Sequence, residues 1–299
     1  MPDTTAPRAL VLGGRHGLLG QALMRTLKSR GWDALSLGRE DGDLLDQTWM
    51  DAQIRRLQPQ AIFNAVAFTQ VDDAEDQPSA ARRINRDFPA LLGHLLKGTG
   101  IHLLHYSTDF VFNGRKDTPY KTDDETDPLC VYGRTKLEGE QTLAASGLET
   151  CCVLRTSWLF GPGRKNFVKT ILDLAQQKEK LSVVHDQIGS PSYTMDVAAA
   201  SMELLRCKAT GVFHLANCGQ VSWCELAAQA VALANFPCVV QAIDSTDWPQ
   251  KAKRPAFSSL DVSRYTEVTG NVMRPWLPAL RDYVFQDFIG SSDEDSTPQ

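Results

Sequence analysis

The stretch Arg8-Ala-Leu-Val-Leu-Gly-Gly-Arg-His-Gly-Leu-Leu-Gly20 constrains this chain more than any other segment. A short apolar run rich in strand formers leads directly into Gly13, Gly14, Gly17 and Gly20, and an apolar helical pattern begins at once. Glycines placed there have a mechanical reading: a tight turn, close backbone approach to a pyrophosphate, and packing of the helix on the strand. The phosphates then sit at the helix N-terminus, where unpaired N–H groups and the helix dipole favour an anion. The spacing is G-x-x-G-x-x-G rather than G-x-G-x-x-G.

The first half continues the same alternation. Strand patterns at 8–12, 34–37, 61–64, 101–106 and 151–154 are separated by helical patterns near 18–30, 48–57, 78–98 and 132–146. Strands alternating with helices predict βαβ units and a parallel sheet, hence an α/β chain with a Rossmann-type doubly wound parallel sheet and a smaller C-terminal α/β substrate-binding region. Residues 1–160 are read as mainly the dinucleotide-binding domain. Residues 161–288 are read as mainly the substrate-binding region, with some strands and helices returning to the core, and 289–299 as a polar, acidic, disordered tail.

Composition removes several function classes. The chain has 299 residues, is 42% hydrophobic and 22% charged, and carries a net charge of -5 without a basic stripe. Neither nucleic acid nor an anionic membrane is an expected partner. No apolar run approaches the ~18 residues of a membrane span, and the N-terminus lacks the basic and apolar regions of an export signal. The 7 Cys contain no C-x-x-C pair, which fits reduced thiols; Cys151 and Cys152 read as core, and the expected location is cytoplasmic. The 6 His lack metal-site spacing, so His102, His105 and His214 read as packed groups and no metal is expected.

The end of the second strand bears on the cofactor. An acidic residue there binds a ribose 2′-hydroxyl, whereas an Arg accommodates a 2′-phosphate. Leu37 is followed by Gly38 and Arg39, and Arg15 stands in the Gly-rich turn, which favours NADPH; Glu40 and Asp41 keep NADH open. Asp43 and Leu44 suit an adenine edge, the first as acceptor and the second as packing surface.

Two further segments resemble the proton-donating half of a carbonyl reductase. Thr108 and Asp109 follow the strand at 101–106, and Tyr132 precedes Lys136 by four residues at the start of a helical pattern. That spacing puts both side chains on one helix face, where an ammonium favours the phenolate and draws the Tyr pKa down.

Taken in order, the segments Gly14-x-x-Gly17-x-x-Gly20, Asp43-Leu44, Asn64-Ala-Val-Ala-Phe-Thr69-Gln-Val71-Asp72 and Tyr106-Ser-Thr108-Asp109-Phe-Val-Phe-Asn-Gly114 form the first half of a pattern. Tyr132-Gly-x-Thr-Lys136-x-x-Gly139-Glu140, Arg155-Thr-Ser-Trp158, Asp186-Gln-x-Gly189-x-Pro191 and Arg254-Pro255 with Ser258 and Leu260 complete it. The whole resembles the extended short-chain dehydrogenases/reductases and, within them, the dTDP-4-dehydrorhamnose reductase family, over residues 8 to 288.

This resemblance implies that Tyr132 is the proton donor, with Lys136 as its partner and a ribose contact, and that Thr108 bonds a substrate 4-keto oxygen beside Asp109. Gly14, Gly17, Leu18, Leu19, Gly20, Asp43, Leu44, Ala67, Phe68, Thr69 and Tyr106 would line the cofactor. Trp158 would pack on the sugar with Thr69 and Val71 nearby, and Arg254 would meet the diphosphate as a bidentate cation. The implied reaction is NADPH-dependent reduction of a nucleotide-linked 4-keto-6-deoxy sugar, dTDP-4-dehydro-L-rhamnose to dTDP-L-rhamnose in the best case.

Departures from the family are Val66, Phe68 and Phe110, each of which reshapes a pocket. Phe110 stands where a 4,6-dehydratase usually has its acidic Glu. Arg39 disfavours an epimerase, which usually retains NAD. Another deoxysugar reductase, and a binding subunit like the β subunit of methionine adenosyltransferase, stay open. The oligomeric state, monomer or homodimer, is not legible.

Overall fold

In the computed structural model, residues 6–248 and 250–290 are described. The chain opens with β1 (Arg8–Leu12), α1 (Leu18–Ser29), β2 (Asp33–Leu37), α2 (Gln47–Leu57) and β3 (Ala61–Asn64). There follow α3 (Val71–Asp76), then α4 (Pro78–Arg82), which passes through a π-turn at Arg83–Asp87 into α5 (Phe88–Leu96). β4 (His102–Thr108) ends in a 3-10 turn at Asp109–Val111 before α6 (Val131–Ser146) and β5 (Cys151–Thr156).

These five strands and a late one, β10 (Gly211–His214), form a six-stranded sheet in the order β10-β5-β4-β3-β1-β2. Every pairing in it is parallel. A parallel sheet is covered on both faces, so its strands read as continuous apolar runs rather than alternating ones. In β1, Ala9 and Val11 join the core that holds α1. Leu10 and Leu12 join the core that holds Met50 and Ile54 of α2 and Leu92 of α5.

From β1 the chain first moves to β2 on one side and then returns to β3 on the other. Doubly wound sheets bind ligands outside the carboxyl ends of the strands at such a reversal. The Gly-rich turn after β1 and residues 65–70 after β3 flank that crevice.

After β5 come β6 (Leu159–Phe160), α7 (Phe167–Ala175), β7 (Lys180–Val184), β8 (Ile188–Gly189) and β9 (Ser192–Tyr193). Next, α8 (Thr194–Arg206) lies against the sheet beside α1 and leads into β10. The remaining elements are β11 (Val221–Ser222), α9 (Trp223–Leu233), β12 (Val239–Ile243), α10 (Ser263–Thr269) and α11 (Trp276–Asp282). β7 pairs with β12, β8 with β11 and β6 with β9, giving three two-stranded ribbons beside the main sheet. A capping box between Ser222 and Glu225 fixes the start of α9.

A final π-helical stretch, Tyr283–Ile289, is capped by Gly290. The tail boundary placed at 289 therefore falls inside a helical segment, because Tyr283 and Val284 are buried against α9 and anchor it. The rest of the tail, 291–299, lies outside the described residues.

Candidate functional site

The Gly-rich turn is built as its sequence requires. Gly13 has φ +80°, a left-handed conformation that residues with a Cβ rarely adopt. A Cβ on Gly20 would overlap the Gly13 carbonyl, so α1 can pack onto the turn only without one. Gly17 caps α1 with no side-chain hydrogen bond, and the first turn has no acidic residue. Leu18 and Leu19 thus open a helix whose first N–H groups no side chain occupies, and Ser36 Oγ, 2.8 Å from where a Gly14 Cβ would stand, is buried without a partner. The turn fits a pyrophosphate.

Around it, Arg15 does not stand free. Its Nη1 donates to Asp41 at 2.8 Å and Glu40 at 3.1 Å, so the acidic pair after β2 already holds the guanidinium. Arg39 is exposed and has no ion pair or hydrogen bond among the described residues. Asp43 accepts from Leu45 N and pairs with Arg83 at 3.1 Å, while Leu44 is buried beside it.

Across the crevice, two buried asparagines hold the loop carrying Ala67, Phe68 and Thr69. Asn64 Oδ1 accepts from Val66 N, and Asn85 both accepts from Phe68 N at 2.9 Å and donates to the Phe68 carbonyl. Asn85 also donates to Thr135 of α6, which ties the loop to the helix that carries Tyr132 and Lys136. Thr69 is exposed, and Val71 begins α3.

Thr108, Asp109 and Tyr132 come together at the end of β4. The Thr108 hydroxyl lies 3.0 Å from Asp109 Oδ1 and accepts from Phe110 N, and Tyr132 lies close enough for Thr108 and Asp109 to act on its phenol. α6 reaches this point because residue 133 is Gly: a Cβ there would overlap the Phe110 carbonyl. The Phe110 ring then meets Tyr132 edge-on at 5.7 Å. Burial pushes Asp109 up to about 6, against the opposing hydrogen bonds from Ser258 and Thr108.

Lys136 corrects one expectation. It is 1% exposed, and its Nζ donates to the Tyr106 carbonyl at 2.5 Å rather than reaching the Tyr132 hydroxyl. Burial pushes Lys136 down to about 8, with Glu140 opposing. Tyr132 is raised, not lowered, because loss of solvent outweighs the pull of the Thr108 hydroxyl. The helical spacing puts the two residues on one face but does not bring their polar ends together.

Behind Lys136 is a group the sequence reading assigned only to packing. Asn64 Nδ2 donates to His105 Nδ1 at 3.0 Å, a polarity fixed by Val66 N on Asn64 Oδ1. The neutral ring therefore carries its hydrogen on Nε2, 3.5 Å from Lys136 Nζ. Burial and the Lys136 charge hold His105 well below its ordinary pKa. Tyr106 itself points the other way, its hydroxyl on Ser201 of α8 at 2.8 Å, so it offers the site its carbonyl and not its ring.

Next to Phe110 opens a cavity of about 590 Å³ lined by Trp158, Trp223, Gln187, Arg254 and Ser258. Trp158 has φ +46° and stacks on Trp223 at 3.5 Å. Trp223 sits at the start of α9, 65 residues away, a partner invisible to local periodicity. Arg254 is already paired: its guanidinium makes a bidentate contact with Asp72 of α3, at 2.9 and 3.0 Å.

With this geometry in view, residues 8–288 match the model of the RmlD substrate binding domain family. The chain belongs to that family. It is 36% identical over 287 residues to a dTDP-4-dehydrorhamnose reductase of Aggregatibacter actinomycetemcomitans, covering 91% of this chain and 97% of the relative. It is 34% identical over 284 residues to a probable dTDP-4,6-dihydroxy-2-methyloxan-3-one 4-ketoreductase of Streptomyces antibioticus, covering 94% and 96%. Among solved structures, a Bacillus anthracis dTDP-4-dehydrorhamnose reductase in complex with NADP superposes with TM-score 0.90 at 28% identity, covering 94% of this chain and 100% of that one. The fold and family are those of NAD(P)H-dependent oxidoreductases of the extended short-chain type.

Proposed function

We propose that the chain reduces the 4-keto group of a nucleotide-activated 6-deoxy sugar with NADPH, most specifically dTDP-4-dehydro-L-rhamnose to dTDP-L-rhamnose. The observation that carries this reading is the grouping of Thr108, Asp109 and Tyr132 around Phe110, which with Ser258 lines a cavity of about 590 Å³. The names of the relatives support the substrate class, and the Streptomyces antibioticus relative keeps a different dTDP-4-keto sugar as the second candidate.

In this reading the part up to residue 160 holds the cofactor, and residues 161–288 supply most of the sugar-nucleotide pocket. Gly14, Gly17, Leu18, Leu19 and Gly20 hold the pyrophosphate, Arg39 with Arg15 the 2′-phosphate, and Asp43 with Leu44 the adenine. Residues 67–69, Lys136 and the Tyr106 carbonyl face the nicotinamide side. Bound NADPH would supply the hydride.

The chain's own residues do the rest. Tyr132 donates its hydroxyl proton to the developing alkoxide at C4, a contribution of general-acid type worth about 10²–10⁴ in rate. Lys136, cationic below about pH 8, stabilises the phenolate that remains through space, from its seat on the Tyr106 carbonyl. Trp158, backed by Trp223, packs on the sugar near Thr69 and Val71. Arg254 meets the diphosphate with Asp72 as its buttress. Every group named belongs to one chain, so a monomer or a homodimer serves equally, and a cytoplasmic setting would supply both NADPH and the reducing conditions that suit seven free thiols.

Purified protein tests this reading by NADPH oxidation with dTDP-4-dehydro-L-rhamnose beside other dTDP-4-keto-6-deoxy sugars. Turnover is expected, fastest with the first. Cofactor binding without turnover of any of them would support a binding subunit instead.

A further inference from the structure

The hydrogen count around Thr108 is closed. Its hydroxyl has one hydrogen and two lone pairs. An ionised Asp109 has no hydrogen to give, so the contact at 3.0 Å takes the Thr108 hydrogen. Phe110 N donates to one lone pair at 3.2 Å. In that state Thr108 has nothing to donate to a ligand carbonyl, although a carbonyl oxygen needs donors.

The second oxygen of Asp109 is taken as well. Ser258 Oγ donates to Asp109 Oδ2 at 2.6 Å, from a segment 149 residues further along the chain. Ser258 and Asp109 are 1% and 2% exposed, and Ser258 also lines the cavity beside Phe110. A hydroxyl donating to a carboxylate stabilises the ionised form.

We propose that Ser258 is a positioning residue which, through the Asp109 carboxyl, sets whether Thr108 can donate to the ligand carbonyl. Phe110 N leaves the second Thr108 lone pair open. A protonated Asp109 donates there, and the Thr108 hydrogen is released to the ligand carbonyl oxygen, giving it Tyr132 and Thr108 as two donors. With Asp109 ionised, only Tyr132 serves it. The identity of the ligand as a carbonyl compound rests on the function proposed above.

Other groups around the carboxyl do not titrate in the same window. From the α6 segment, the Tyr132 phenol and the Cys130 thiol are both raised by burial and stay neutral. β4 contributes Thr108, the late segment contributes Ser258, and Arg254 on the cavity wall is paired with Asp72. Burial, opposed by the two hydroxyls, holds Asp109 near 6.

The experiment follows the Asp109 carboxyl directly by NMR of the full chain labelled with ¹³C at aspartate carboxyls, the resonance being assigned from Asp109→Asn. A midpoint near 6 is expected in the wild type. Ser258→Ala should move it up by about one pH unit, and Ser258→Thr, which keeps the hydroxyl, should return it. In kcat/KM with the 4-keto sugar, activity should fall as pH rises through the Asp109 midpoint, and this limb should move with the midpoint in Ser258→Ala. An unmoved midpoint, a wild-type Asp109 in the ordinary carboxylate range, or a limb that ignores the shift overturns the proposal. Titrations as expected without turnover in any form overturn the reduction reading and leave the Ser258–Asp109 coupling standing.

Discussion

Lys136 is a buried ammonium, and its position predicts opposite effects on stability and activity. Its pKa is lowered from 10.5 to about 8, so the folded state disfavours the charge by about 3 kcal/mol at neutral pH. A base with a depressed folded pKa destabilises the fold fully below that pKa, and the cost fades as pH rises from 8 toward the unfolded value. Lys136→Met, of similar length and without charge, should therefore raise the melting temperature at pH 7, and the gain should shrink between pH 8 and 10.5. The same variant should lose most activity, and wild-type kcat/KM should decline above about pH 8 as the cation is lost. Thermal unfolding and steady-state rates across pH check both. No gain in stability at pH 7 would mean that the hydrogen bond to the Tyr106 carbonyl outweighs desolvation.

At the scale of elements, the approach of α6 to the 3-10 turn is the contact on which the site depends. Gly133→Ala would force the Phe110 carbonyl and the helix apart; overpacking of this kind costs about 1–3 kcal/mol. It should also lower kcat more than it raises KM, because the packing of Tyr132 against Phe110, beside Thr108, is what shifts. Denaturant unfolding with steady-state kinetics would show this, and a variant of normal kcat would separate the Gly133 packing from the chemistry.

The same helix shows what was legible in the sequence. The order of strands and helices up to β5, the Gly-rich turn and the Tyr132 helix follow from periodicity and from residues that permit only one backbone. The short strands β6, β8, β9 and β11 did not, because they have two residues each and carry no period. α3, α7 and α10, at six, nine and seven residues, are also short for a periodic signal. His105 read as packing for a similar reason: its partners, Asn64 and Lys136, come from different elements.

Across the whole molecule, the two parts of the chain meet through long-range polar contacts. Asp72 of α3 holds Arg254 and accepts from Ala252 N, and Asp76 pairs with Lys251, all across more than 170 positions of sequence. The family resemblance implies an anion contact for Arg254 but says nothing of its carboxylate partner, since nothing local links positions 72 and 254. If Asp72 buttresses the guanidinium, Asp72→Asn should raise KM for the sugar nucleotide roughly three- to tenfold with kcat nearly unchanged, and should cost about 1 kcal/mol of stability for a pair whose Asp72 side keeps solvent contact. A fall in KM would instead mean that Asp72 competes with the diphosphate for Arg254.

The most direct measurement of the central reading follows the transferred atom: NADPH deuterated at the transferring position of its nicotinamide, incubated with dTDP-4-dehydro-L-rhamnose and either wild type or Tyr132→Phe. Deuterium at C4 of a 4-hydroxy product is expected with the wild type, with the rate reduced about 10²-fold or more in Tyr132→Phe. Unreduced substrate with the wild type, deuterium at another carbon, or equal rates in the two proteins would contradict the assignment of Tyr132 as proton donor to a 4-keto sugar.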